Sequence, residues 1–456
     1  MSRVTLALTG SAYSMLVATL AEGVETAFVA WTGAAEDETG VTLFLRNAEA
    51  VPDECYLERT SNRLVIASAG FMPAFGLAES HEAGAAFIHT HPGGRAEYSE
   101  LDDRVDEELS AVARCRTDSP FYVSMIIAGS VEAPSFVARV VSAEGTRSVD
   151  VIRVAGERFR LIRLDNDELE ENIQEHFDRQ IRVFGDAGQR VLSALRIGIV
   201  GVGGTGSAVC EQLVRLGVGE VLLVDDDTVT ESNVTRIYGS TPADVGKHKV
   251  SVLTASMAEI DQSTRVTPVV GRVTDRKIAE RLRQCDVIFG CTDDQWGRSV
   301  LSRLAYFYLI PMIDLAVVIT SDGRRVHEIV GRVTVIGPGS ACLLCRGRIQ
   351  PEVIRAEALP TGERERLAAE GYVQGFAQPD PSVVTYTSLI ASLGTSEFLS
   401  RLFGLGTLPY ATELLFRIDL NELRRNTVAS REGHFCADAS KWGVGDSEPF
   451  LDMLWS

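Results

Sequence analysis

Two groups of residues have the types and spacing to do chemistry. The first is His89-Thr-His91, followed by Ser99 and Asp102. Two histidines at i and i+2 on an extended segment point the same way. An aspartate shortly afterwards, at the start of a helix expected over 102–115, adds a carboxylate. Two imidazoles and one carboxylate leave the fourth position of a tetrahedral zinc open to water, as in a catalytic site. Zinc lowers the pKa of bound water from about 15.7 to roughly 7. A separate carboxylate then has to move protons, and Glu25 is the candidate.

The second group runs from 196 to 249. A short apolar strand (197–200) feeds a loop with Gly201, Gly203, Gly204 and Gly206, and Ser207 is expected to open the next helix. Such a loop lets the backbone approach phosphate, and the helix N-terminus favours anions. A second strand (221–224) ends in Asp225, about 20 residues on, where a ribose-binding carboxylate belongs. A hydride-transferring enzyme has no need of Asn233, Arg236 and Lys249, whose donors suit a triphosphate. Asp227 and Asp293 add acids for magnesium or the phosphate site. Asp293 follows a third apolar strand (286–290), facing the ligand crevice of an open α/β sheet.

The ordered set Gly-x-Gly-Gly-x-Gly, Asp225-x-Asp227, Ser232-Asn233-x-x-Arg236, Val245-Gly-x-x-Lys249 and Thr292-Asp293-(x)4-Arg298 resembles the ThiF-type adenylyltransferases, relatives of the ubiquitin-activating enzymes. The resemblance covers roughly 170–345 and implies ATP and Mg2+. It also implies a homodimer in which Arg179, in the segment His176–Gly185, reaches the triphosphate of the other subunit. The pattern Glu25, His89-x-His91, Ser99 and Asp102 resembles the JAB/MPN zinc metalloproteases (the JAMM motif). That resemblance gives Glu25 the role of proton shuttle and Ser99 that of oxyanion support; Phe28 departs from it, standing where the family usually has glycine.

Cys342-Leu-Leu-Cys345 has metal-ligand spacing. In the ThiF relatives a second Cys-x-x-Cys completes a structural zinc site. Here the tail offers His434-Phe-Cys436, with Ala439 at the expected fourth sulfur. Cys342, Cys345 and Cys436, joined by His434, can hold a zinc; a metal-free site or a pair of small core cysteines are the alternatives. No cysteine lies between Cys345 and Cys436, so the usual loop-cysteine thioester is not expected. Ser382 is the one hydroxyl in a suggestive place, and Cys210 and Cys291 read as buried.

These groups need two folded frames. With 456 residues, 45% hydrophobic and 23% charged, the chain is an ordinary globular protein of two or three domains. The expected frames are an α+β JAB/MPN-like domain over 1–150, a linker and entry helix over 151–185, and a Rossmann-like α/β adenylation domain with a mainly parallel sheet over 186–456. The stretch 165–174 reads as an acidic helix face, and 360–381 as a polar loop before an apolar helix (386–402). A net charge of −19 argues against nucleic acid. No membrane-spanning stretch or signal peptide is expected, and eight cysteines with one close pair fit a reducing cytoplasm. The partner implied is a ubiquitin-like (β-grasp) protein ending in glycine, with a conjugating-enzyme-like protein downstream. The alternatives are a sulfur-carrier or peptide-activating enzyme of small-molecule biosynthesis, and a scaffold with dead sites.

Overall fold

A computed structural model describes residues 2–164, 175–261, 263–359, 362, 363, 366 and 381–455. The acidic stretch 165–174 and most of the loop 360–381 lie outside the described residues.

The N-terminal half is built on β1 (Arg3–Thr9), β2 (Ala27–Asp37), β3 (Gly40–Ala50), a separate hairpin of β4 (Tyr56–Arg59) and β5 (Leu64–Ile66), then β6 (Gly84–Pro92), β7 (Tyr122–Gly129), β8 (Pro134–Ser142), β9 (Gly145–Ser148), β10 (Val151–Ala155) and β11 (Arg160–Arg163). Nine of these strands form one mixed sheet in the order β11-β10-β1-β3-β2-β6-β7-β8-β9. Helices α1 (Gly10–Ala18), α2 (Met72–Ser80) and α3 (Glu100–Arg116) cover it. The boundary expected at 150 falls later. The segment 151–155, buried at every position, pairs in parallel with β1, and β11 closes on β10, so both belong to this sheet and not to a linker.

The C-terminal half opens with α4 (Asp178–Ala194) and continues through β12 (Arg196–Val200), α5 (Gly204–Arg215), β13 (Glu220–Asp225), α6 (Lys249–Ile260), β14 (Arg265–Val270), β15 (Val287–Gly290), α7 (Gln295–Phe307), β16 (Met312–Ser321), β17 (Val326–Ile336), α8 (Val384–Phe403), β18 (Glu413–Arg417) and β19 (Glu422–Asn426). The sheet order is β14-β13-β12-β15-β16-β17-β18-β19. The first five strands are parallel, as expected; the last three add antiparallel, so the sheet is mixed. The strand order reverses between β12 and β15. At such a switch point a crevice opens outside the strand C-termini.

The two halves share one core. Ala7, Ala35, Phe44 and Ala155 cluster with Val300, Leu304 and Phe307 of α7. Asp286, buried at the start of β15, takes two bonds from Arg3 (2.8 and 3.0 Å) and faces Arg153 at 3.5 Å. Arg153 also donates to the Cys285 carbonyl at 2.7 Å and the Tyr308 carbonyl at 3.0 Å. A buried carboxylate is costly unless paired, so these guanidiniums fix how the halves meet. Among the described residues no helix is long and apolar enough to cross a membrane.

Candidate functional site

In the N-terminal half, β6 alternates so that His89 and His91 share a side. Ser99 caps α3, which begins at Glu100, not Asp102. Asp102 is therefore the third helical residue and closes a capping box. Its Oδ2 accepts from the Ser99 amide and hydroxyl, both at 2.7 Å. Its Oδ1 is left facing His89 Nε2 at 3.2 Å. The Ser99 hydroxyl, expected to support an oxyanion, here donates to Asp102. The two histidine Nε2 atoms stand 3.1 Å apart. Nitrogens bound at about 2.0–2.1 Å to a tetrahedral ion stand about 3.3 Å apart. One ligand atom from each of His89, His91 and Asp102 lies within 4.8 Å of the others, so the donor set and its spacing fit zinc.

Glu25, on the segment entering β2, is buried, with Oε1 3.9 Å from His91 Nε2. Burial pushes its carboxyl above the usual range; His89 works against this and Asp102 adds to it. For Asp102, burial would raise the carboxyl, but bonds with His89 and Ser99 outweigh it and hold it well below its ordinary value. Burial and the neighbouring His89 lower the His91 imidazole, favouring the neutral ring a metal needs. Arg59, missed in the sequence, grips the Glu25 segment. It donates to the Glu25 carbonyl at 2.9 Å and the Thr26 hydroxyl at 2.6 Å, and pairs with Glu22 at 2.6 Å. Its position on the β4–β5 hairpin carried no motif.

In the C-terminal half, the glycine loop and the Cys291–Asp294 loop meet at the switch point, in a cleft of about 840 Å3. Gly201 has φ +92°, and a Cβ there would stand 2.6 Å from the Cys291 and Thr292 backbone. Helix α5 begins at Gly204, three residues before the expected Ser207, whose side chain is buried beneath the loop. Gly203 and Gly204 line the cleft, while Gly206 packs against the Gly201 carbonyl. Asp225 Oδ2 accepts from the Val202 amide at 2.6 Å and Oδ1 from the Asp227 amide at 2.9 Å. Burial raises its carboxyl, opposed by Lys249. Each oxygen keeps a lone pair for a ribose hydroxyl.

Lys249, at the first turn of α6, is buried and its Nζ stands 2.6 Å from Asp227 Oδ2. Asn233 and Arg236 also line the cleft. Arg236 donates to the Ser232 carbonyl at 2.8 Å. Of the two acids after β15, Asp294 caps α7 through the Gly297 amide and accepts from the Thr292 hydroxyl. Asp293 lines the cleft and, among the described residues, has no hydrogen-bond or ion-pair partner, leaving its oxygens for a cation. Arg298, which sequence alone could not separate from a structural arginine, lines the same cleft and pairs with buried Asp314.

Arg179 lies elsewhere. It is exposed on α4, ahead of a break at Gly185 (φ 72°, ψ 169°), and does not line this chain's cleft. That placement suits an arginine acting on another subunit. An Arg179→Ala chain mixed with an Asp293→Ala chain is then expected to recover adenylation that neither has alone, measured as ATP–pyrophosphate exchange. No recovery at any mixing ratio would remove the cross-subunit role.

Cys342, Cys345, His434 and Cys436 converge with all ligand atoms within 4.8 Å. Cys345 and Cys436 sulfurs are 3.6 Å apart, and His434 Nδ1 is 3.2 Å from Cys436 and 3.6 Å from Cys342. Sulfurs bound to zinc at about 2.3 Å stand about 3.7 Å apart, so a three-cysteine, one-histidine set fits a closed structural site. His434, not position 439, stands beside the three sulfurs. The bond from Cys342 holds the Cys436 thiol low and Cys342 high. Cys345→Ser is expected to cost one zinc equivalent per chain and roughly 5–10 °C in Tm, read by metal analysis and calorimetry. An unchanged zinc count would exclude the site. Ser382 reaches the cleft edge, whereas burial pushes the Cys210 and Cys291 thiols well up, against a nucleophilic role.

The Escherichia coli (strain K12) molybdopterin-synthase adenylyltransferase is 30% identical over 186 residues, covering 40% of this chain and 71% of that one. The SAMP-activating enzyme E1 of Haloferax volcanii is 30% identical over 168 residues, covering 37% of this chain and 59% of that one. Adenylyltransferase and sulfurtransferase UBA4 of Yarrowia lipolytica is 29% identical over 171 residues, 37% of this chain and 41% of that one. The solved structure of E. coli MccB with ATP aligns at a TM-score of 0.45 and 16% identity, over 57% of this chain and 73% of that one. The N-terminal sheet lies outside the family match, which spans residues 177–436. With that match covering more than half of its length, the chain belongs to the ThiF family.

Proposed function

We propose that the chain adenylates the C-terminal carboxylate of a ubiquitin-like or sulfur-carrier protein. The observation that carries this reading is the convergence of Asp225, Asn233, Arg236, Lys249 and unpartnered Asp293 on one cleft beneath the glycine loop. Asp225 receives the ribose. Asn233, Arg236 and Lys249 receive the phosphates, Lys249 exchanging Asp227 for phosphate oxygen. Asp293, with Asp227, would hold Mg2+. The carboxylate oxygen attacks the α-phosphorus; that P–O bond forms as the bond to the bridging oxygen breaks, and pyrophosphate leaves. Positioned cations stabilise the charge gathering on the phosphoryl oxygens. The acyl-adenylate then passes to an acceptor without a loop cysteine between Cys345 and Cys436. The adenylyltransferases among the relatives support the reaction class, and the SAMP-activating and sulfurtransferase relatives support a protein carrier.

The N-terminal half is, in this reading, a zinc hydrolase acting on the same kind of terminus, cutting after its last glycine. The spacing of His89, His91 and Asp102 and the buried Glu25 beside them support it. Bound zinc would supply a water acidified to near neutrality. Glu25 is placed to take a proton from an attacking water as its oxygen joins the carbonyl carbon, and to give it to the amine that leaves as the C–N bond breaks, while Ser99 keeps Asp102 turned toward the histidines. The chain acts as a homodimer if Arg179 serves the neighbouring subunit, and its setting is the cytoplasm.

The test is a β-grasp protein ending in Gly-Gly incubated with the enzyme, ATP and Mg2+. Intact mass should show the carrier gain one AMP. A carrier that never gains AMP, across β-grasp proteins that all end in glycine, counts against the substrate class.

A further inference from the structure

Asp102 meets the histidines only if the first turns of α3 sit correctly over β6. No buried apolar residue holds them there. The buried apolar residues of α3 are Leu109 and Ala113, in its second half, while Leu101 in the first turn is exposed. The N-terminal end is held instead by an arginine from another strand. Arg139 on β8 stands opposite Ser124 on β7, which stands opposite Phe87 on β6. Residues opposite one another on neighbouring strands share a face of the sheet, and Phe87, His89 and His91 alternate onto one face of β6. Arg139 therefore rises from the same side of the sheet as the two histidines.

Its guanidinium grips the chain on both sides of Asp102. Nε donates to Asp106 Oδ2 at 2.8 Å and Nη1 to Asp103 Oδ1 at 2.6 Å, both on α3. The Tyr98 ring, just before the helix, lies 3.7 Å from Arg139 Cζ, and its hydroxyl donates to the Ser124 carbonyl at 2.8 Å. Asp106 is buried and also accepts from the Tyr122 hydroxyl at 3.1 Å. The charges around it make the arginine necessary. Glu100, Asp102 and Asp103 all lie in the first turn, with Asp106 next along the helix. Without the guanidinium, Asp106 is a buried charge without a counter-ion beside like charges. Moving this end of α3 toward water relieves it, and Asp102 moves with the helix, away from His89 Nε2 at 3.2 Å.

We infer that Arg139 is a positioning residue of the N-terminal zinc site, fixing Asp102 against His89 and His91 while making no hydrogen bond or ion pair to any of the three among the described residues. This rests on the zinc-hydrolase reading above. Ser99 sets the turn of the Asp102 carboxylate, through the bonds at its amide and hydroxyl. Arg139 sets where the carboxylate stands, by tying Tyr98, Asp103 and Asp106 to β7 and β8. Groups that orient metal ligands from outside the coordination sphere are worth about 10–100-fold in metal affinity. A lysine carries the same charge but not the planar fork that reaches two carboxylates while stacking on a ring.

The test measures zinc affinity of the full chain by competition with a chromophoric chelator, following the zinc equivalent that His89→Ala lacks. Arg139→Lys is expected to weaken that zinc by about 10-fold, and Arg139→Gln by about 10–100-fold. Leu109→Ala is the control for loosening of the helix, because it opens the apolar cluster at the other end of α3. It should lower Tm and leave the zinc Kd within about 2-fold. A Kd within about 2-fold of wild type in either Arg139 variant would overturn the positioning role. So would a Leu109→Ala chain that loses as much zinc affinity as Arg139→Lys, since a loosened helix would then suffice. If the wild-type chain binds only the zinc that Cys345→Ser removes, the hydrolase reading itself falls, and this inference with it.

Discussion

Lys249→Ala is expected to lower ATP–pyrophosphate exchange by about 10²–10³-fold, the loss seen when one preorganised donor to a developing negative charge is removed. Lys249 is suited to that role by its place. It opens α6 at the cleft wall, is buried, and is held by Asp227 at 2.6 Å and, more distantly, by Asp225 at 3.9 Å. A triphosphate gives the Lys249 Nζ a stronger partner than exposed Asp227. Lys247 is the internal control. It lies two residues away but is exposed and paired with Asp244 at 2.9 Å, so Lys247→Ala should leave exchange within about 2-fold. Equal losses in both variants would show that the loop, and not the Lys249 charge, matters. Asp293→Ala should match Lys249→Ala in exchange and leave the zinc content untouched.

His89→Ala is expected to remove one of two zinc equivalents and abolish hydrolysis while leaving exchange within about 2-fold. A three-ligand site that loses one ligand loses most of its affinity, because only two donors remain. The change is also local: His89 faces His91 and Asp102, and none of the three lines the nucleotide cleft. Metal analysis separates this site from the cysteine–histidine cluster, because Cys345→Ser should remove the other equivalent. Loss of exchange along with hydrolysis in His89→Ala would contradict two independent sites. Full zinc content in His89→Ala would show that the N-terminal cluster does not bind the metal.

Much of this was legible in the sequence for physical reasons. A glycine loop between an apolar strand and a helix can do little else than approach phosphate, and a strand-end acid some 20 residues on has a fixed place in the sheet. Hence Asp225, Asn233, Arg236, Lys249 and Asp293 converge as expected, and so do His89, His91 and Asp102. What was not legible depended on long-range packing. The pairing of β10 with β1 brings residues 146 apart in sequence side by side (Leu6↔Ile152, for example), so the first domain ran past its expected end. The bond from the Ser99 hydroxyl to Asp102 was not legible, although a Ser-x-x-Asp spacing also makes a helix cap. Arg59 and the Asp314 pair with Arg298 and Arg332 bring together residues from separate elements, with no local spacing to reveal them. His434 stands beside the three sulfurs because the tail folds back on the Cys342–Cys345 turn, which spacing alone left open.

The most direct measurement takes two copies of one β-grasp carrier, one ending in Gly-Gly and one with extra residues beyond it, and follows intact mass with ATP and Mg2+. The enzyme is expected to add AMP to the first at once and to the second only after trimming it to the glycine, and His89→Ala to stop the second reaction alone. An extended carrier that is never trimmed, beside a trimmed one that is adenylated, would contradict the claim that both sites of this chain act on one terminus.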